Sequence, residues 1–228
     1  ISIWPIILFF AITLFLKFIS PEPEIMIMAI TGLIGWRAVY HFQIESNISY
    51  MEDHWSKDTS QFLSTPLRIR DILISGIIAG AAKFMVVLGL YLVFAYTLFG
   101  FFIPSIWKFI IGIGFLCYSG AIIGILTFSL VMLYRDKAMT FSFMIPDLFV
   151  LLSGVYYPIS VFPEPMIAAV HVLPTFYGFE MLKSMVGLGT ADYMGMAIVG
   201  IAWLVFSLLV LRIAIRKAKK DGSLCNFN

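Results

Sequence analysis

Residues Leu152 to Gly187 read LSGVYYPISVFPEPMIAAVHVLPTFYGFEMLKSMVG, a stretch apolar enough for lipid yet interrupted by Pro158, Pro163, Pro165 and Pro174. It cannot form one straight membrane-spanning helix. Proline removes a backbone donor and clashes with the preceding turn, and each backbone group left unsatisfied in hydrocarbon costs several kcal/mol. Such a segment must break, fold back or hide inside protein. The expectation is a re-entrant helical hairpin over about 158–188, dipping into one membrane surface.

The rest of the chain supports that setting. Its 228 residues are 61% hydrophobic and 12% charged, its mean hydropathy is +0.99, and the charges cluster between long apolar runs. This is the composition of an integral membrane protein. Apolar runs fall at about 2–19, 25–42, 72–100, 107–133, 138–157 and 192–213. The predicted fold is therefore an all-α membrane protein, a single domain over 1–228 with six transmembrane helices. The chain enters its first apolar run at Ile1 without an initiator Met, so a preceding piece is expected. Cys117 lies inside a span and Cys225 in the tail, which points to neither a disulfide framework nor a metal site.

Orientation follows from the basic residues, because cytoplasmic loops hold the excess of Lys and Arg. One side carries Lys57, Arg68, Arg70, Arg135, Lys137 and the basic tail from Arg212 to Lys220; the other carries Lys17, Lys108 and Lys183 near span ends. Both termini and the polar insert after the second span are therefore expected in the cytoplasm, in a multi-pass protein of the cell membrane, with the proline-broken segment outside. The tail RKAKK reads as a stop and lipid-headgroup anchor rather than a nucleic-acid contact.

Several chemistries are missing. No Gly-Lys dipeptide occurs, so the phosphate loop GxxxxGK[ST] is absent and any ATPase must be another polypeptide. His41, His54 and His171 fall on different levels and both sides, which disfavours a haem or zinc pair. Neither GxSxG nor HExxH is present, leaving an intramembrane enzyme without visible machinery. A secondary transporter or channel is the alternative class, but no repeat relates the first three spans to the last three.

The polar insert presents Glu45, Glu52, Asp53, His54, Trp55, Lys57 and Asp58, then Phe62, Leu63 and a break at Thr65-Pro66. It reads as a short amphipathic helix over about 48–64 lying on the membrane surface, or as a solvated interfacial loop. Small-xxx-small pairs, Gly76-Gly80 and Gly120-Gly124, mark close helix packing inside the monomer or at a dimer seam. Arg37, His41 and Glu45 step by four into a polar stripe, either a salt-bridge ladder or side chains snorkelling to headgroups. Lys83 and Asp147 are charges inside spans, about 14 to 18 Å in at 1.5 Å per residue, so depth allows them to pair. Against the pair, the third run is overlong, so Lys83 can instead sit at the inner interface with only residues 84–103 spanning.

The arrangement resembles the permease subunit of the ABC transporter type 2 exporter family across nearly the whole chain. The matching residues are the acidic insert running into Gln61-Phe62-Leu63-Ser64-Thr65-Pro66-Leu67 with Arg68, Arg70 and Asp71-Ile72-Leu73, and the run Ser153-Gly154-Val155-Tyr156-Tyr157-Pro158-Ile159. Pro163 follows, then Leu173-Pro174 before an aromatic pair and Glu180. The resemblance implies a subunit with no catalytic residues of its own. Two copies, as a homodimer or with a related permease, would pair with two ABC ATPase subunits, which bind the ATP and Mg. Drugs, lipids or lipid-linked glycans would be exported. Glu52, Asp53, His54, Trp55, Asp58 and Thr59 would couple to the ATPase, and Tyr156, Tyr157, Pro158, Pro163, Pro174, Phe176, Tyr177 and Glu180 would form the outer gate. Asp147, just before the outer motif, departs from the family's apolar or small residue.

Overall fold

The computed structural model describes residues 4–19, 22–56, 69–134, 136–155 and 159–220. Helices α1 (Trp4–Ile19), α2 (Pro23–Ser56), α3 (Ile69–Phe99), α4 (Ile106–Tyr134) and α5 (Asp136–Leu152) precede the proline-broken stretch, and α8 (Tyr193–Lys220) follows it. Between them lie a 3₁₀ turn at Ile159–Val161, short helices α6 (Glu164–Val170) and α7 (Pro174–Lys183), and a second 3₁₀ turn at Ser184–Val186. No strand occurs among the described residues.

Helix ends follow local chemistry. Pro23 and Pro174 are the first residues of α2 and α7, where the missing N–H costs nothing, and Pro163 caps α6. The described prolines of the decisive stretch, Pro163, Pro165 and Pro174, thus start helices rather than interrupt them. At the end of α3 the chain reverses through Gly100 at φ 61°, with Gly100 N–H bonded to Tyr96 O and Phe101 N–H to Ala95 O. A side chain there would be strained, so glycine terminates the helix.

Four stretches, Pro23–Ile48, Ile69–Phe99, Ile106–Tyr134 and Tyr193–Ala218, are long and apolar enough to cross a membrane. Trp4–Ile19 and Ala138–Leu152 are apolar but shorter. The sixteen residues of α1 extend about 24 Å, less than the roughly 30 Å of a bilayer's hydrocarbon core. Two boundaries differ from the sequence expectation. Helix α2 runs unbroken to Ser56, so residues 48–56 continue it instead of starting a separate surface helix; residues 57–64 lie outside the described residues. Helix α5 stops at Leu152, ahead of Gly154 at φ 63°, rather than reaching residue 157.

Helices α2 and α4 form the centre. Half or more of each candidate span is buried there, against 22% for α3 and α8. The buried residues of α3 (Ile72, Gly76, Gly80, Phe84, Val87, Tyr91 and Ala95) recur every three or four positions as one stripe, and Ile74, Ile78 and Met85 are exposed. A helix apolar on both its packed and exposed faces suits lipid on the outside. Helix α2 lies between two glycine stripes. Added Cβ atoms on Gly76 and Gly80 would meet Glu45 O and His41 O at 2.7 Å, and one on Gly120 would meet Val39 O at 2.6 Å. Both stripes therefore pack within the monomer, against the same helix. Helix α8 packs on the other side of α4, and α1 closes over α2 and α3.

Candidate functional site

The polar stripe of α2 faces two neighbours. Glu45, nearly buried, receives Lys83 Nζ from α3 at 2.7 Å, while the Lys83 side chain is 51% exposed. Helical side chains lean toward their own N-terminus, and Gly76 of α3 lies against Glu45, so Lys83, two turns further along α3, reaches back to it. Two turns away, Arg37 is 3% exposed and stacks on Trp36 and Tyr40, its carbon Cζ 4.4 and 5.6 Å from their ring centres. Its Nε and Nη2, and both ring nitrogens of His41, have no hydrogen-bond partner among the described residues. Among the described residues no salt-bridge ladder links Arg37, His41 and Glu45, and the one ion pair of the stripe runs across to α3.

Asp147 sits on α5, and its Oδ1 accepts a hydrogen bond from Trp36 Nε1 at 3.1 Å. The structure thus gives Lys83 and Asp147 different partners instead of joining them. Depth counted along a helix ignores the lean of a long side chain, and that lean decides in favour of Glu45. Asp147 lies on the wall of an otherwise apolar pocket of about 230 Å³ between α1, α2 and α5.

A second polar cluster, absent from the sequence reading, is fully enclosed by α2, α4 and α5. Gln43 Nε2 donates to Thr127 Oγ1 at 3.0 Å and to Ser142 O at 2.9 Å; Asn47 Nδ2 donates to Thr127 Oγ1 at 2.9 Å and to Gln43 O at 2.8 Å. Pro146, inside α5, has no N–H to offer the carbonyl four residues earlier, and that carbonyl is Ser142's. The signal was present as Pro146 together with the i, i+4 amides Gln43 and Asn47.

Helix α7 and the turns on either side of it are tied down from three sides, while α6 is largely exposed. Ser153 Oγ and Thr175 Oγ1 share a hydrogen bond, Lys108 Nζ donates to Ser184 O at 2.8 Å, and Trp203 Nε1 donates to Val172 O at 2.7 Å. Gly178 allows α7 to sit on α4, since a Cβ there would lie 2.6 Å from Leu116. Glu180 binds Lys183 at 3.0 Å in a buried pair and accepts the Thr190 N–H at 3.2 Å, which folds the chain after α7 back on itself.

The expected gate residues divide accordingly. Phe176 is buried against the His171 ring at 4.7 Å, and Tyr177 Oη donates to His171 O at 3.0 Å. Pro174 and Glu180 are buried in the same helix, α7, whereas Pro163, at the start of α6, is exposed. Tyr156, Tyr157 and Pro158 lie outside the described residues, as do Asp58 and Thr59; Glu52, Asp53, His54 and Trp55 form part of the last two turns of α2. Among the described residues no three His, Cys, Asp or Glu side chains gather where a metal ion could bind. No family model matches the chain, and no curated protein matches it.

Proposed function

We propose that this chain is the transmembrane subunit of an ATP-driven type 2 ABC exporter, working as a dimer with two separate ATPase subunits to move a hydrophobic or amphipathic substrate outward. The observation that carries the reading is the pair of proline-started helices α6 and α7. Their seven and ten residues extend about 10 and 15 Å, too little to cross a bilayer. A short helix α7 pinned against α4, α5 and α8, preceded by the exposed α6, suits a re-entrant outer hairpin. With α1 and α5 counted as spans, six crossings leave both termini and the end of α2 in the cytoplasm of a cell-membrane protein.

In this reading α2 is the lever. Its acidic end, carrying Glu52, Asp53, His54 and Trp55, docks on the ATPase together with Asp58 and Thr59, and the glycine contacts with α3 and α4 let it move only as part of a rigid bundle. Toward its other end, Gly35 lies against Phe179 of α7, where a Cβ would come within 2.7 Å of the ring. ATP-driven closure of the ATPases then displaces α2, and α7 moves with it.

The test is copurification from native membranes in mild detergent. A Walker-motif polypeptide bound one to one, with vanadate-sensitive ATP hydrolysis, is the expected result. Proton-coupled flux from liposomes holding this chain alone would instead place it among the secondary carriers.

A further inference from the structure

We propose that the pocket between α1, α2 and α5 binds the cationic head and adjoining ring of an amphiphile, with Asp147 as its counter-ion. Leu8 and Ile12 of α1, Trp36 of α2, and Val150 and Leu151 of α5 supply apolar walls, and Asp147 is the only charged group among the lining residues. At about 230 Å³ the space exceeds the roughly 150 Å³ cavity that holds benzene and falls below the roughly 300 Å³ at which sites for whole drug-sized ligands begin. It fits a ring with its charged substituent, and the remaining chain of the ligand extends into the surrounding apolar phase.

The charge makes the pocket selective. Asp147 is exposed to this space and holds one hydrogen bond, from Trp36 Nε1 to Oδ1. Arg37 stacks on the same indole but makes no ion pair with Asp147 among the described residues. A carboxylate held in apolar surroundings by a single neutral donor is costly unless a cation joins it. An ammonium ligand removes that cost, a neutral ligand of the same shape leaves it in place, and an anionic one adds repulsion. The Trp36 bond engages one oxygen and leaves the other available to the ligand.

This inference deepens the exporter reading by naming a substrate class, yet it is tested on the isolated chain. Loss of either reading therefore leaves the other standing. The full chain in phosphatidylcholine nanodiscs, with empty discs subtracted, is titrated with radiolabelled benzyldimethyldodecylammonium, neutral benzyl dodecyl ether and anionic dodecylbenzenesulfonate. The expected order is saturable binding of the ammonium, about tenfold or more tighter than the ether, and none of the sulfonate. Asp147→Asn lowers ammonium affinity by about tenfold or more and leaves the ether unchanged, whereas Asp147→Glu keeps the preference. Equal binding of all three ligands by the unmodified chain overturns the proposal without any variant having to fold, as does an Asp147→Asn protein that binds the ammonium as tightly.

Discussion

Gln43 donates its amide hydrogen to the carbonyl oxygen of Ser142 at 2.9 Å, filling the vacancy that Pro146 creates in α5. Replacing Gln43 with Leu strands that buried carbonyl and costs about 1–3 kcal/mol. Pro146→Ala returns an N–H to the same oxygen, so the two substitutions are coupled. Thermal unfolding in detergent should show Gln43→Leu to be less harmful in the Pro146→Ala background, by about 0.5 kcal/mol or more. Strict additivity would mean that Gln43 serves only Thr127.

The Lys83–Glu45 pair is asymmetric, because half of the Lys83 side chain is exposed and Glu45 is nearly enclosed. Lys83→Met leaves a carboxylate with no cation and no route to solvent; Glu45→Gln leaves a lysine able to lean toward the headgroups. Lys83→Met is therefore expected to lower the unfolding temperature more than Glu45→Gln, and the double variant less than Lys83→Met alone. The reverse order would place solvent at Glu45.

Glycines of this chain separate into two classes with opposite expectations. Gly80→Ala and Gly120→Ala drive a Cβ into the backbone oxygens of His41 and Val39, which cannot move aside without parting the helices. Each should destabilise by about 1–3 kcal/mol. At Gly89 and Gly114 nothing lies within 4 Å of an added Cβ, so alanine there should be neutral or stabilise by up to about 1 kcal/mol through helix propensity. The four unfolding temperatures, measured side by side, decide whether the stripes hold α2.

Apolar runs announced the helices, and their proline and glycine punctuation announced the ends, because those effects are local. Partner choice was not local. Gly76-Gly80 and Gly120-Gly124 advertised close packing, but nothing in either stripe says that both meet α2, or that Val39 to Ser46 is where they do so. Depth left Lys83 open to pairing with Asp147 or to a place at the inner interface, and the lean of its side chain gives it to Glu45. Gln43 and Asn47 read as ordinary polar residues of a span, since the carbonyl Gln43 attends lies about a hundred residues away behind Pro146 and the hydroxyl both share is that of Thr127. The continuation of α2 to Ser56 also escaped notice: polar residues 45–56 suggest a break at the membrane surface, whereas a helix that leaves the bilayer has no reason to stop there.

That continuation sharpens the test of ATPase coupling. Trp55 lies near the end of α2, so a force applied there acts directly on the helix that reaches α7. A tryptophan at the centre of a protein contact commonly contributes about 2 kcal/mol or more, roughly a thirtyfold change in affinity. Trp55→Ala is expected to uncouple the complex in proteoliposomes: ATP hydrolysis continues at its basal rate, substrate no longer stimulates it, and export falls about tenfold or more. Pro158→Ala with Pro174→Ala is the complementary variant, expected to impair export while the ATPase stays bound. If Trp55→Ala keeps both substrate stimulation and export, the end of α2 is not the coupling element. If the double proline variant folds but loses the ATPase, the outer hairpin lies on the ATPase side and the orientation inverts.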